Sequence, residues 1–391
     1  MRVLHTSDWH LGRSFHREDL LHAQGAFVDH LVETVRSESV DLVVLAGDVF
    51  DRALPPVDAV TLASDALRRL AADRVRVVVT SGNHDSVHRL GFASDLIDAA
   101  GVHLRTQFSA VGTPVLVETD DTSLAIYGIP YLEPDAVREP WQLAERTHAA
   151  ALGAAMQRIR ADLDTRPAGT RSLVMAHAFV TGGQASESER DISVGGVSQV
   201  SASVFDGVDY VALGHLHGRQ QLADGVRYSG SPLAYSFSEA RQRKGCWLLD
   251  VGPAGLTEVS FVPAPVPRPL GSVRGRLDAL LRDPSLAGLE DSWLHATLTD
   301  PRRPAEAMRR LRDRFPHTLV LAFEPDRLAG DEVSVVERVR GRSDLQIAEA
   351  FVADVRGAPA EAAELRLLAQ ACDACRPEVA RSDAPRSAGV A

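Results

Sequence analysis

Apolar and polar positions alternate in blocks along the first two-thirds of the chain. Val3–Thr6, Leu42–Ala46, Val75–Thr80, Leu173–Ala176 and Tyr210–Leu213 are short apolar runs with little of the one-in-two alternation of a half-exposed strand. Such runs predict strands buried on both faces. Leu20, Phe27, Leu31 and Val35 share a plausible helical face, which predicts a helix from about Asp19 to Val35; a second is expected from about Val57 to Leu70. Strands and helices in turn imply an α/β fold whose sheet is covered on each side. Segments 114–130 and 246–262 read as hairpins.

The ends of the apolar runs carry the chemistry. They lead into Asp8-Trp9-His10, Gly47-Asp48-Val49-Phe50-Asp51, Gly82-Asn83-His84-Asp85, His177 and Gly214-His215-Leu216-His217. In layered α/β folds, ligand sites form beyond strand C-termini, so these loops are expected to converge on one rim. Polar residues follow strands in any protein, but that alone does not explain why nearly all of these are metal-ligand types. Glycine before the acid or amide lets backbone and metal approach closely. Oxygen and imidazole donors without thiolate suit Mn, Fe, Zn or Mg-like centres better than a structural cysteine site.

Composition narrows the picture. With 391 residues, the chain suits one large domain plus a smaller one. It has no apolar stretch long enough for a membrane span, and its start, MRVLHTSDWH, lacks the features of a signal peptide. Three cysteines, Cys246, Cys372 and Cys375, make a disulfide framework unexpected and fit a cytoplasmic location. A net charge of −11 argues mildly against coating DNA by bulk electrostatics. Lys244 is the only lysine, which reads as genomic base composition.

Taken in order, D-x-H, G-D-x-x-D, G-N-H-D, a lone H and G-H-x-H resemble the calcineurin-like metallophosphoesterase superfamily, and within it the SbcD family of nuclease subunits. The resemblance implies a two-sheet sandwich flanked by helices, followed by a small α+β capping domain and a C-terminal helix. It implies two metal ions, usually Mn. Asp8, His10 and His217 would hold the first, Asn83, His177 and His215 the second, and Asp48 would bridge them. His84 would be an acid outside the coordination shell, oriented by Asp85; Asp51 would stand behind the ligands. The implied activity is exonuclease and endonuclease cleavage at DNA ends and hairpins in repair, by a homodimer within a heterotetramer with an SbcC-type coiled-coil ATPase. A small-molecule or cyclic-nucleotide phosphodiesterase, a phosphoprotein phosphatase and a non-catalytic scaffold stay open as alternatives.

The predicted organisation is a phosphoesterase domain over 1–262, a Pro-rich linker over 263–274, a capping domain over 275–356, and a partner-binding helix with a disordered tail over 357–391. Arg302, Arg303, Arg309, Arg310, Arg312 and Arg314 on the capping module read as a solvated helix face or a DNA-phosphate surface. Cys372-x-x-Cys375 has no second pair and reads as incidental. Leu365, Leu367, Leu368, Ala371 and Cys372 form a stripe on a helix over Ala360–Ala374, packed on its own chain or offered to a partner.

Overall fold

The computed structural model describes residues 1–193, 199–326, 339–356 and 358–375. The chain divides into two compact units, Met1–Glu324 and Pro325–Ala391.

The first unit holds two six-stranded sheets. In one, Arg2–Thr6, Leu42–Ala46, Arg76–Thr80 and Val102–Arg105 run parallel, and the hairpin of Gly245–Gly252 and Gly255–Pro263 joins antiparallel to Arg2–Thr6. In the other, Ser123–Ile129, Arg171–His177, Tyr210–Gly214 and Val226–Tyr228 run parallel, with Val115–Glu118 and Gln220–Ala223 antiparallel at the edges.

Side-chain alternation then decides the layers. Val3, Leu42, Val44 and Val78 meet Leu173, Met175 and Ala212 between the sheets. Their neighbours Leu4, Val43 and Leu45 pack outward with Phe27, Leu31, Ala63 and Leu70 of the helices Leu21–Ser37 and Val57–Ala72. On the far side, Val174, Ala176, Val211 and Leu213 pack with Ala155 and Ile159 of the helix His148–Leu163. The two-sheet sandwich flanked by helices that the resemblance implied is therefore present: each sheet is covered by the other on one face and by helices on the opposite face. A wholly apolar run says that both strand faces are buried, not what buries them.

The stretch predicted as a linker over 263–274 is shorter than its composition suggests. Gly255–Pro263 is strand to its last residue and Leu270–Gly275 opens a new sheet; proline-rich segments and strands share extended backbone, which composition alone does not separate. That sheet is parallel, with Trp293–Leu298 central and Thr318–Phe323 at the other edge. Val273, Leu280, Leu294, Leu311 and Phe315 form its core with the helices Leu277–Arg282 and Ala307–Arg314. The module belongs to the first unit, where Leu270, Trp293 and Leu319 pack against Phe15, Leu20, Leu233 and Tyr235.

The second unit is described by the helices Asp344–Arg356 and Ala362–Ala374, tied by a two-pronged ion pair from Arg356 to Glu364. The boundary predicted at residue 357 thus falls within this unit, which begins at Pro325. Neither helix has a buried residue, and Phe351, Val355 and Leu367 are largely exposed. The tail predicted to be disordered lies, from residue 376 on, outside the described residues. Among the described residues no helix is long and apolar enough to cross a membrane.

Candidate metal centre

Strands from both sheets end at a common rim, and backbone bonds lock the loops beyond them. Asp8 N donates to Gly47 O (3.0 Å), His10 N to Asp48 O (3.0 Å) and Leu11 N to Val49 O (2.9 Å). The two sheets touch at glycines: a Cβ on Gly214 would lie 1.9 Å from the Ala46 carbonyl, and one on Gly47 would lie 2.4 Å from His177 Nδ1. No side chain fits there, which accounts for glycine at both positions. Asp8, His10, Asp48 and His215 all have positive φ, at 53°, 44°, 51° and 102°. Left-handed backbone at non-glycine residues is costly and gathers where a structure must aim side chains.

All seven residues expected as ligands meet at this rim, in two groups. In the first, His10 Nε2 and His217 Nε2 are 3.0 Å apart, and Asp8 offers a carboxylate oxygen within 4.8 Å of both. In the second, Asn83 Oδ1 lies 2.9 Å from His177 Nε2 and 3.2 Å from His215 Nδ1. Asp48 Oδ2 stands between them, 3.6 Å from His10 Nε2 and 3.3 Å from His177 Nε2. Its other oxygen accepts from the His84 backbone amide (2.9 Å). Asp8 accepts from Ser7 Oγ (2.5 Å) and from the His215 amide (3.0 Å).

Burial and mutual charge set the protonation of this cluster. Burial lifts the Asp8 carboxyl to about 6 and depresses His215 to about 3. It also holds His10 well below the usual imidazole value. For His177, burial pulls downward but the adjacent Asp48 carboxylate outweighs it and raises the imidazole to about 9. Asp48 is held well below its usual value, because His177, His10 and His84 overcome the effect of burial. Facing imidazole nitrogens, two carboxylates and an amide oxygen make a hard O/N donor set. It fits divalent cations of the Mn, Fe or Zn type.

His84 and Asp51 also lie at the rim, in a different arrangement from that expected. His84 Nδ1 donates to the Asp51 carbonyl (2.7 Å), and its ring meets that of His10 edge-on at 4.7 Å. Asp85 does not orient this ring. Its carboxylate accepts from the amides of Gly82 (2.9 Å), Val49 (3.1 Å) and Phe50 (2.9 Å). Asp85 therefore clamps the 82–85 loop to the 47–51 loop, and the role of orienting His84 passes to the Asp51 backbone. The resemblance implied the pairing, but a short carboxylate beside unpaired loop amides satisfies those first. The Asp51 carboxylate is 3.7 Å from both His10 Nδ1 and Arg13 Nε.

The arginines of the capping module are largely engaged within it. Arg312 donates to Thr318 O, and Arg314 to Leu280 O, Asp283 O and Glu290. Arg310 pairs with Asp278, Arg309 with Glu306 and Asp313, and Arg303 lies over the Phe323 ring. Arg312 and Arg314 tie helix to sheet, which spacing along a helix does not reveal.

Residues outside every motif complete the surroundings. Tyr235 packs edge-on against His10 and His217, and its hydroxyl donates to Trp9 O (2.5 Å). Glu189 Oε1 accepts from the His217 amide (2.8 Å), Ser188 Oγ lies 2.5 Å from His217 Nδ1, and buried Glu239 and Lys244 form an ion pair behind them. Lys244 had one signal in the sequence: it is the only lysine of the chain.

Two known families match parts of the chain. Residues 266–356 match the family SbcD_C, described as the Type 5 capsule protein repressor C-terminal domain. Two solved structures are remotely similar. One is TT1561 of Thermus thermophilus, at 13% identity over 66% of this chain and 98% of that one, with a TM-score of 0.38. The other is a dimetal phosphatase from Danio rerio, at 14% identity over 68% and 99%, with a TM-score of 0.40. Residues 1–219, which hold the whole rim, match the calcineurin-like phosphoesterase family, and the chain belongs to that family.

Proposed function

We propose that this phosphoesterase is a two-metal DNA nuclease that hydrolyses phosphodiester bonds at DNA ends and hairpins in repair and recombination. It acts in the cytoplasm as the nuclease subunit of an SbcCD-type complex. The observation that carries the metal chemistry is the position of Asp48 Oδ2 between the His10 and His177 nitrogens. Asp8, His10 and His217 would hold one cation and Asn83, His177 and His215 the other, with Asp48 placed to serve both; Mn is the expected metal. Bound there, the pair would polarise the scissile phosphate, lower the pKa of a water and stabilise charge on the attacking and leaving oxygens.

The chain's own residues supply the rest. His84, with Nδ1 donating to Asp51 O, keeps Nε2 for the substrate and protonates the leaving sugar oxygen. Asp85 holds the two loops in register, so that His84 and Asp48 keep their spacing. The exposed Arg302 and Arg303 offer positive charge to the DNA backbone, whereas Arg309, Arg310, Arg312 and Arg314 are paired within the module itself.

Two surfaces support the proposed partners. Among the described residues, the helices Asp344–Arg356 and Ala362–Ala374 bury no side chain, and their apolar groups would gain cover by docking on an SbcC-type coiled-coil ATPase. Leu54, Val60 and Phe92 line one apolar cleft of the phosphoesterase unit, where a second copy of the chain would form a homodimer. The SbcD_C match supports the nuclease reading over small-molecule phosphodiesterase or phosphoprotein phosphatase activity. The test is Mn-dependent cleavage of hairpin DNA against a chromogenic diester and a phosphopeptide, with and without the co-expressed ATPase. Preferential DNA cleavage, stimulated by the partner, is expected; turnover of the small diester or phosphopeptide alone would reject the nuclease assignment.

A further inference from the structure

His217 is held from behind by groups that lie outside all five motifs. Its Nδ1 is 2.5 Å from Ser188 Oγ, and Ser188 in turn donates to Glu239 Oε1. Glu239 is 1% exposed and pairs through Oε2 with Lys244 Nζ, itself 8% exposed. Lys244 Nζ also lies 2.8 Å from His217 O, 3.0 Å from Ser231 Oγ and 2.7 Å from Gln242 Oε1, so its three hydrogens are shared among four acceptors and it reaches the backbone of the same histidine.

Counting protons fixes the direction of this chain. An ionised carboxylate only accepts, and a serine hydroxyl has one hydrogen. With Lys244 against Glu239, the carboxylate stays ionised and takes the Ser188 hydrogen. Ser188 Oγ is then left as an acceptor, and it meets the proton on His217 Nδ1. His217 Nε2, which faces His10 and Asp8, is left with its lone pair.

We propose that Glu239, balanced by Lys244 and acting through Ser188, is a positioning residue that locks His217 in the tautomer whose Nε2 can ligate the first cation. The assignment rests on the metal reading above. It explains why a carboxylate and the chain's only lysine are buried together behind the rim. A buried ion pair is weak evidence for stability, but it suits a fixed orientation. Partners behind ligating histidines commonly alter metal affinity ten- to a hundredfold.

The test measures Mn²⁺ binding to the full chain by calorimetry, together with the visible spectrum of the Co²⁺-loaded protein. Ser188 is half-buried on a loop, so Ser188→Ala keeps the fold. It is expected to bind one ion as the wild type does and the other about ten- to a hundredfold more weakly, with an altered Co²⁺ spectrum. Ser188→Thr, which keeps the hydroxyl, should restore both. Glu239→Gln combined with Lys244→Met, which removes the charges together, should reproduce the loss. Two wild-type affinities in Ser188→Ala, beside a wild type that binds two ions, would overturn the relay alone. A wild type that binds no ion would overturn the relay and the metal reading together.

Discussion

Asp48 and His84 are joined through the backbone: the His84 amide donates to Asp48 Oδ1 at 2.9 Å, while the His84 ring turns away to bond Asp51 O. One carboxylate thus spends one oxygen on positioning the neighbouring loop and keeps the other between two imidazoles. The different work assigned to the two residues gives the first prediction. Asp48→Ala should lose metal and activity together. His84→Ala should keep both ions and slow cleavage by about 10²–10⁴-fold, as expected for a general acid. A substrate whose leaving group needs no proton should recover part of the rate. Loss of an ion from His84→Ala would make His84 a ligand instead.

Asp85 is expected to act through loop stability. Asp85→Asn keeps the size but replaces one of its oxygens with a donor facing a backbone amide. Leaving a buried donor unpaired costs about 1–3 kcal/mol. Thermal unfolding should show that loss, and hydrogen exchange should rise at the Gly82, Val49 and Phe50 amides. Unchanged protection there, with only the pH profile of cleavage altered, would return Asp85 to a role on the His84 ring.

Metal uptake should release protons. Asp48 holds His177 protonated up to about 9 in the metal-free chain. A cation must displace that proton, so apparent affinity should fall as pH drops below that value. Above it the ring is already neutral and the dependence should flatten. Calorimetry in buffers of different ionisation enthalpy at about pH 7.5 reads the released proton directly. No buffer dependence would contradict the placement of a cation against His177.

Arg302→Ala with Arg303→Ala should reduce the salt dependence of DNA binding, by roughly 0.9 in the log–log slope for each phosphate that is no longer neutralised. Arg312→Ala should instead lower the stability of the capping module, since its guanidinium bonds Thr318 O. If the slope is unchanged in the first variant, these arginines are a solvated face.

Phe92→Glu with Leu54→Glu should convert a dimer to a monomer in light scattering, since charges at a buried apolar interface are strongly opposed. A wild type already monomeric at micromolar concentration would remove the proposed interface.

Much of the rim was legible in the sequence because each ligand type directly follows an apolar run. Strand ends converge in layered folds, so Asp8, Asp48, Asn83, His177 and His215 could be placed together from their positions along the chain. What stayed hidden depends on packing between distant segments. Glu239 closes the short 3-10 helix Phe237–Glu239 and Lys244 sits just before the strand Gly245–Gly252, neither of them at the end of an apolar strand, yet both reach His217 from behind. Asp85 sits beside His84 in sequence but bonds amides on both loops. The apolar runs showed burial without showing that Val44 and Met175 would meet across two sheets. Arg312 and Arg314 looked like surface charge because their backbone partners, Thr318, Leu280 and Asp283, come from other elements.

The most direct test is the metal content of the purified chain, without its partner, after loading with Mn²⁺ and removal of excess. Because the seven proposed ligands come from loops fixed on one pair of sheets, the chain alone should retain about two ions. Asp48→Ala should retain close to none. A wild type that holds no ion, or an Asp48→Ala variant that holds both, would contradict the two-metal centre.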